Sequence, residues 1–185
     1  AKHGRSNRGT ARRGGQVITL NTEHTIVALV EDKPGTLNRI SSMFRKRGSN
    51  ISSLAVGHSE TKGLSRMTFV VNADDATVEQ VTKQLYKLVD VIKVSDISSN
   101  ALDIVVRELA LIKVNTTPAT RPEVLQLAET FRSSIIDVSL DSVIIEVTGD
   151  DHKVDSLLTI LDPYGIREVM RTGRVGLIRG SDKSL

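Results

Sequence analysis

From residue 24 onward, short β-branched and aliphatic runs alternate with stretches in which apolar residues recur every three to four positions. His24–Glu31 (HTIVALVE) is almost continuously apolar and predicts a strand buried on at least one face. Asp32-Lys33-Pro34-Gly35 breaks the run. Leu37, Ile40, Met43, Phe44 and Arg47 then fall at helical spacing, and Gly48 marks a C-terminal stop. Asn50–Val56 and Leu64–Asn72 predict two strands joined by the polar turn 59–63. Asp74-Asp75 opens a second helix with Val78, Val81, Leu85 and Leu88 on one stripe, and Val91–Ile97 closes the unit as a fourth strand. The order is β-α-β-β-α-β.

The second half repeats it. Arg107–Val114 predicts a strand, Arg121–Arg132 a helix with Val124, Leu127, Ala128 and Phe131 on one face, and Ile135–Leu140 and Ser142–Gly149 two further strands. Val154, Leu157, Leu158 and Leu161 mark a fourth helix, and Ile166–Arg171 ends the unit. Val71, Asp74, Asp75, Val78 and Leu85 recur as Val147, Asp150, Asp151, Val154 and Leu161, always 76 positions later, the mark of a duplicated unit. A single doubly wound sheet is the competing architecture, but turns this short between neighbouring strands cannot make parallel crossovers. The expected fold is therefore α+β, two ferredoxin-like βαββαβ units in tandem. The expected division is a basic disordered tail at 1–22, one unit at 23–99, the other at 100–180 and a short tail at 181–185. Two helices cover only one face of a four-stranded sheet, so the other face and an edge strand are expected to stay open and to favour self-association.

Composition narrows the chemistry. The 185 residues contain no cysteine and no Trp, which excludes disulfides, thiolate metal sites and a Cys nucleophile. The formal charge of +3 points towards nucleic acid until it is located. Residues 1–22 carry Lys2, Arg5, Arg8, Arg12 and Arg13 and no acid, leaving 20 basic against 22 acidic groups in the rest. The basicity belongs to the tail, which a cloning remnant, a trimmed targeting peptide or a polybasic anchor would each explain. No nucleic-acid or membrane partner is expected, since aromatics to stack on bases are scarce and no apolar run approaches the ~20 residues of a membrane span.

Catalytic patterns are missing. His3, His24, His58 and His152 are too far apart in sequence to offer a metal pair, and each is read as an exposed or partly packed side chain. There is no nucleophile elbow, phosphate loop or dinucleotide fingerprint. Asp74-Asp75 and Asp150-Asp151 stand before helical stripes, where capping explains them better than paired-carboxylate catalysis. No catalytic or metal site is assigned.

One junction stands out. A strand ending in Glu31-Asp32 runs through Lys33-Pro34-Gly35-Thr36-Leu37 straight into a helix. An open helix N-terminus attracts anions, and Asp32 beside it supplies the opposite sign. Such a cation seat next to an anion seat fits the two charges of an α-amino acid. A plain, well-capped strand–helix turn fits the same residues.

The junction resembles the ACT domain, a small-molecule-sensing module attached to amino-acid metabolic enzymes. Further blocks are similar to the small (regulatory) subunit of acetolactate synthase: Thr25–Leu37, Arg47–Gly57, Ser65–Thr68, Lys83–Val89, Arg107–Val114, Ile135–Val138 and Arg171–Arg174. The resemblance spans nearly everything outside the tail. It implies a non-catalytic subunit that activates a separate catalytic (large) chain and confers feedback inhibition by a branched-chain amino acid, with valine the usual effector. Thiamine diphosphate, Mg²⁺ and FAD are implied for the catalytic chain and none for this one, whose Gly149-Asp150-Asp151 lacks the second glycine of a Gly-Asp-Gly diphosphate motif. The resemblance also implies a homodimer through the ACT domains, with the effector held between Asp32, Gly35, Thr36 and Leu37 of one chain and Asn50 and Ile51 of the other. In that assignment Asp32 takes the ammonium, the N–H groups around Thr36 and Leu37 take the carboxylate, Asn50 bridges by its amide and Ile51 offers apolar contact. Asn50 also suits a left-handed turn after Gly48.

The chain departs from its relatives in three places. Many carry Asn where Asp32 stands, and an aromatic where Ser49 stands. Asn115-Thr116-Thr117-Pro118 replaces the Pro-Gly loop in the second unit, which is expected not to bind effector in the same way. A stand-alone amino-acid-sensing module acting on another enzyme or a transcriptional partner is the alternative function. Bacterial cytoplasm is the expected location, or an organelle such as a plastid if the Arg-rich start is the remnant of a transit peptide.

Overall fold

A computed structural model describes residues 12–13, 16–17, 22–46, 48–98 and 104–180 of the chain. The disordered tail expected at 1–22 lies outside the described residues except for a two-residue ribbon, β1 (Arg12–Arg13) against β2 (Gln16–Val17), and for Thr22, which already belongs to the next strand. Arg47 and the tail at 181–185 also lie outside them.

The first unit contains β3 (Thr22–Glu31), α1 (Thr36–Lys46), β4 (Ile51–His58), β5 (Leu64–Ala73), α2 (Asp75–Leu85) and β6 (Val91–Asp96). Its antiparallel sheet has the order β4-β5-β3-β6. The helices pack on one face because alternate strand positions and both helical stripes are apolar. Ile26, Ala28 and Val30 of β3 and Met67, Phe69 and Val71 of β5 meet Ile40 and Phe44 of α1 and Val78, Val81 and Leu85 of α2. The Phe44 and Phe69 rings lie 5.4 Å apart and tilted, a favourable aromatic pair. Leu37, although on the predicted stripe, starts the helix outside this core and is 41% exposed.

The second unit contains β7 (Ile104–Asn115), α3 (Arg121–Thr130), β8 (Ser134–Val138), β9 (Ser142–Gly149), α4 (Asp151–Leu161), a 3₁₀ turn (Asp162–Tyr164) and β10 (Ile166–Arg171). Its order, β10-β7-β9-β8, is that of the first sheet strand for strand. The repeat extends to the caps. Asp74 accepts the N–H of Thr77 at 2.7 Å and Asp150 that of Lys153 at 2.8 Å, so both acidic pairs begin helices as the pattern predicts.

Two expectations need correction. Ile166–Arg171 does not end the unit, because β11 (Val175–Ile178) follows and pairs with residues 104–107, the first part of β7. Nor does the first sheet keep an open face. The β7–β11 ribbon lies across the side opposite the helices, and a Cβ added to Gly176 would stand 2.6 Å from Ile97 Cδ1 and 3.8 Å from Val27 Cγ2. Thr25, Val27, Leu29 and Val70, which point to that side, are buried, so β3 is covered on both faces. In the second unit Leu111 and Met170, opposite one another in the ladder, remain exposed.

Candidate functional site

The loop between β3 and α1 is fixed by its own backbone. Asp32 N–H donates to the Gly63 carbonyl (2.8 Å), Lys33 N–H to Glu31 (3.0 Å), Thr36 N–H to Lys33 (3.3 Å) and Arg39 N–H to Gly35 (3.0 Å). Gly35 holds φ at +89°, a conformation that L side chains rarely adopt. Of the two amides predicted to face an anion, that of Thr36 therefore closes the turn. Those of Leu37 and Asn38 belong to the first helical turn, which has no intrahelical acceptor for them. The Thr36 side chain is buried, and its hydroxyl has no hydrogen-bond partner among the described residues.

Charges rim this mouth. Asp32, with a side chain 47% exposed, lies 3.3 Å from Nδ1 of His58, itself 87% exposed. So solvated a contact contributes little and leaves the Asp32 carboxylate open to a cation. Arg39 is the residue that the pattern reading overlooked. One turn into α1, its Nη1 stands 3.4 Å from where a Gly35 Cβ would be, and its Nε donates to Asp90 Oδ2 at 2.5 Å. The Asp90 side chain is only 7% exposed, so the guanidinium is anchored from beneath and projects its charge beside the helix N-terminus. The i to i+4 spacing from Gly35 was the available signal. Lys33 turns aside to Glu31 at 2.7 Å; the hydrogen bond to that carboxylate holds its ammonium above the ordinary lysine range.

Asn50 and Ile51 lie elsewhere. Ile51, at the start of β4, is opposite Val71, which is opposite His24, whereas Asp32 follows the far end of β3. Some seven residues of strand separate the two levels, roughly 23 Å at the rise of a β-strand. Within one chain, Asp32, Gly35, Thr36 and Leu37 come together while Asn50 and Ile51 form a separate patch at the opposite end of the sheet.

The matching loop of the second unit is self-contained. Thr117 N–H donates to Thr120 Oγ1 (2.9 Å) and Thr120 N–H to Thr117 Oγ1 (3.2 Å). Arg121 spans the opening, its Nη2 donating to the carbonyls of Ser139 (2.9 Å) and Leu140 (2.5 Å). Among the histidines, His24 is more deeply placed than its sequence position implies: it is buried, 3.2 Å from Asp96 and 3.5 Å from Asp75. His152 is exposed at the start of α4, and His3 lies outside the described residues. No group of three potential metal ligands occurs among the described residues, and no helix there is long and apolar enough to cross a membrane.

Two ferredoxin-like units with a charged, glycine-opened junction in the first place the molecule in the class of regulatory proteins built on ACT domains. Residues 26–93 match the family described as the AHAS small subunit-like ACT domain, and residues 107–180 that of the small subunit of acetolactate synthase. A probable acetolactate synthase small subunit of Archaeoglobus fulgidus is 52% identical over 87% of this chain and 99% of its own length. The acetolactate synthase small subunit of Bacillus subtilis is 49% identical over 85% of this chain and 91% of its own. The crystal structure of the acetolactate synthase small subunit from Thermotoga maritima superposes with a TM-score of 0.81 at 45% identity, covering 86% of this chain and 99% of that one. The chain belongs to the acetolactate synthase small-subunit family.

Proposed function

We propose that this chain activates the catalytic subunit of acetolactate synthase and subjects it to feedback inhibition by a branched-chain amino acid, with valine the first candidate. Thiamine diphosphate, Mg²⁺ and FAD reside in the catalytic chain on this reading. Bacterial and archaeal relatives favour a cytoplasmic place of action.

The observation that carries the reading is the pair of opposite charges at the mouth of α1. Asp32 accepts the effector's ammonium in place of His58. The first-turn amides of Leu37 and Asn38, with Arg39 beside them, hold the carboxylate. Asn50 and Ile51 lie too far away to close this site within one chain, so a second copy supplies them. A two-fold dimer in which the ACT sheets meet through their open β4 edges brings each patch to the partner's junction. Ile51 then adds an apolar wall for a branched side chain. A site shared by two chains couples binding to their arrangement, as regulation requires.

The purified chain is to be mixed with an acetolactate synthase catalytic chain and activity measured with and without valine, leucine and isoleucine. Activation by the chain alone, reversed by at least one of the three, is expected. Activity indifferent to the chain rejects the reading.

A further inference from the structure

The bend between β10 and β11 is held from several sides. Thr172 N–H donates to the Leu109 carbonyl (3.0 Å), and Leu109 N–H returns a bond to Thr172 Oγ1 (3.1 Å). Gly173 takes φ +78°, and a Cβ there would fall 2.0 Å from Ser53 Oγ and 3.7 Å from the Leu54 amide nitrogen. The bend thus lies directly on β4 of the first unit, with room only for glycine. Arg174 N–H donates to the same Ser53 hydroxyl (3.3 Å). Its guanidinium reaches two carboxylates, Glu23 Oε2 on β3 at 2.6 Å and Asp151 Oδ2 in the first turn of α4 at 2.5 Å. Only 19% of the Arg174 side chain is exposed. One arginine therefore ties the first sheet to the N-terminus of a helix in the second unit.

What gives the tie its interest is where Ser53 sits. It is two residues from Ile51 and three from Asn50, across an irregularity in the β4–β5 ladder where Ser52 Oγ donates to the Val70 carbonyl (3.1 Å). The start of β4, assigned above to the effector, is thus the stretch on which the Gly173–Arg174 bend rests. A ligand that draws Asn50 and Ile51 towards the partner chain must either carry the bend along or break its hydrogen bond to Ser53. Moving the bend shifts an Nη2 atom that both carboxylates share, and leaving Asp151, whose side chain is 28% exposed, without it is costly at so partly buried a site. Effector position and the seating of Arg174 on Asp151 are therefore energetically linked, and the linkage acts in both directions.

We infer that the Gly173–Arg174 bend relays effector binding from the start of β4 to the N-terminus of α4, with Arg174 as the positioning residue that joins the two units. The inference rests on the assignment of Asn50 and Ile51 to the effector site. It makes the second unit a reader of ligand state in the first.

The test uses the full-length chain, with valine, leucine and isoleucine each tried by calorimetry. Amide hydrogen exchange is then followed across 151–155 with and without the amino acid that binds. In the unaltered chain, saturation is expected to change exchange there at least fivefold. In Arg174→Met the change is expected to vanish while the calorimetric Kd stays within threefold. Glu23→Gln, which removes one partner of the guanidinium and keeps its partner on α4, serves if Arg174→Met does not fold; it is expected to reduce the exchange response by at least half. Binding with no change at 151–155 in the unaltered chain overturns the relay alone. So does a full response in a folded Arg174→Met chain. Failure of all three amino acids to bind the unaltered chain overturns the functional reading itself, and the relay with it.

Discussion

Gly35 and Arg39 divide the labour at the proposed effector mouth: one leaves room and the other supplies charge. Gly35→Asp adds strain of about 1–2 kcal/mol by placing an L residue at φ +89°. It also puts a carboxylate within reach of Arg39, where the effector's own carboxylate is expected. With like charges competing for one cation, effector affinity is expected to fall by about 100-fold or more, with activation of the catalytic chain retained. Calorimetry together with the reconstituted assay checks this, and loss of both functions in a folded dimer would contradict the site. Arg39→Ala tests the anchor. Asp90 is left buried without its ionic partner, and a loss of about 2 kcal/mol in urea unfolding is expected, below the roughly 3–5 kcal/mol of fully buried pairs because about half of Arg39 is in solvent. Gly35 was legible in the sequence because its role is local, a turn entering a helix. Arg39 was legible only in its i to i+4 spacing from Gly35, since what anchors it is Asp90, 51 residues away.

The elements reproduce the predicted order wherever their signal is local. Ser142–Gly149 and Ile166–Arg171 form strands over the residues that the pattern marks, and Asp74 and Asp150 cap the helices that follow them. The hydrogen bond from Thr77 keeps the Asp74 carboxyl below the ordinary range, as expected for an N-cap whose charged form is the one preferred. Core positions follow the same logic. Phe69 is fully buried against Phe44, and Phe69→Ala is expected to cost about 3–5 kcal/mol by denaturant titration, since both the ring and its aromatic partner lose contact. A cost under 1 kcal/mol would mean that the first core is loosely packed. β11 escaped notice for a physical reason. Val-Gly-Leu-Ile is short, lacks alternation and carries a glycine that reads as a breaker. In the folded chain that glycine lets the ribbon approach Ile97 and Val27.

For the molecule as a whole, two experiments probe how its parts are joined. Burial pushes the Asp151 carboxyl upward, but the charge and hydrogen bond of Arg174 more than offset this and leave it below the ordinary value. A carboxyl depressed in the folded state contributes stability that is complete above its unfolded pKa of about 3.9 and is lost as pH falls through the lower folded value. Asp151→Asn is therefore expected to flatten the acid limb of the stability curve below about pH 4; an unchanged limb would deny the link its electrostatic part. The proposed sharing of the effector site between two chains is tested by complementation. Chains carrying Gly35→Asp and chains carrying Asn50→Ala are each expected to bind poorly. After subunit exchange, random pairing regenerates about a quarter of the sites, because a mixed two-fold dimer keeps one junction and one β4 patch intact. No recovery would place both halves of the site in a single chain. The sequence by itself determined the tandem βαββαβ order, the helix caps, the core stripes and the glycine-opened junction, because each is written in residues that are neighbours along the chain. Only the tertiary structure decided that a ribbon from the second unit covers the first sheet, that Arg39 stands beside the mouth, and that Arg174 joins Glu23 to Asp151. These depend on groups brought together across as many as 151 positions, by packing that no local periodicity encodes.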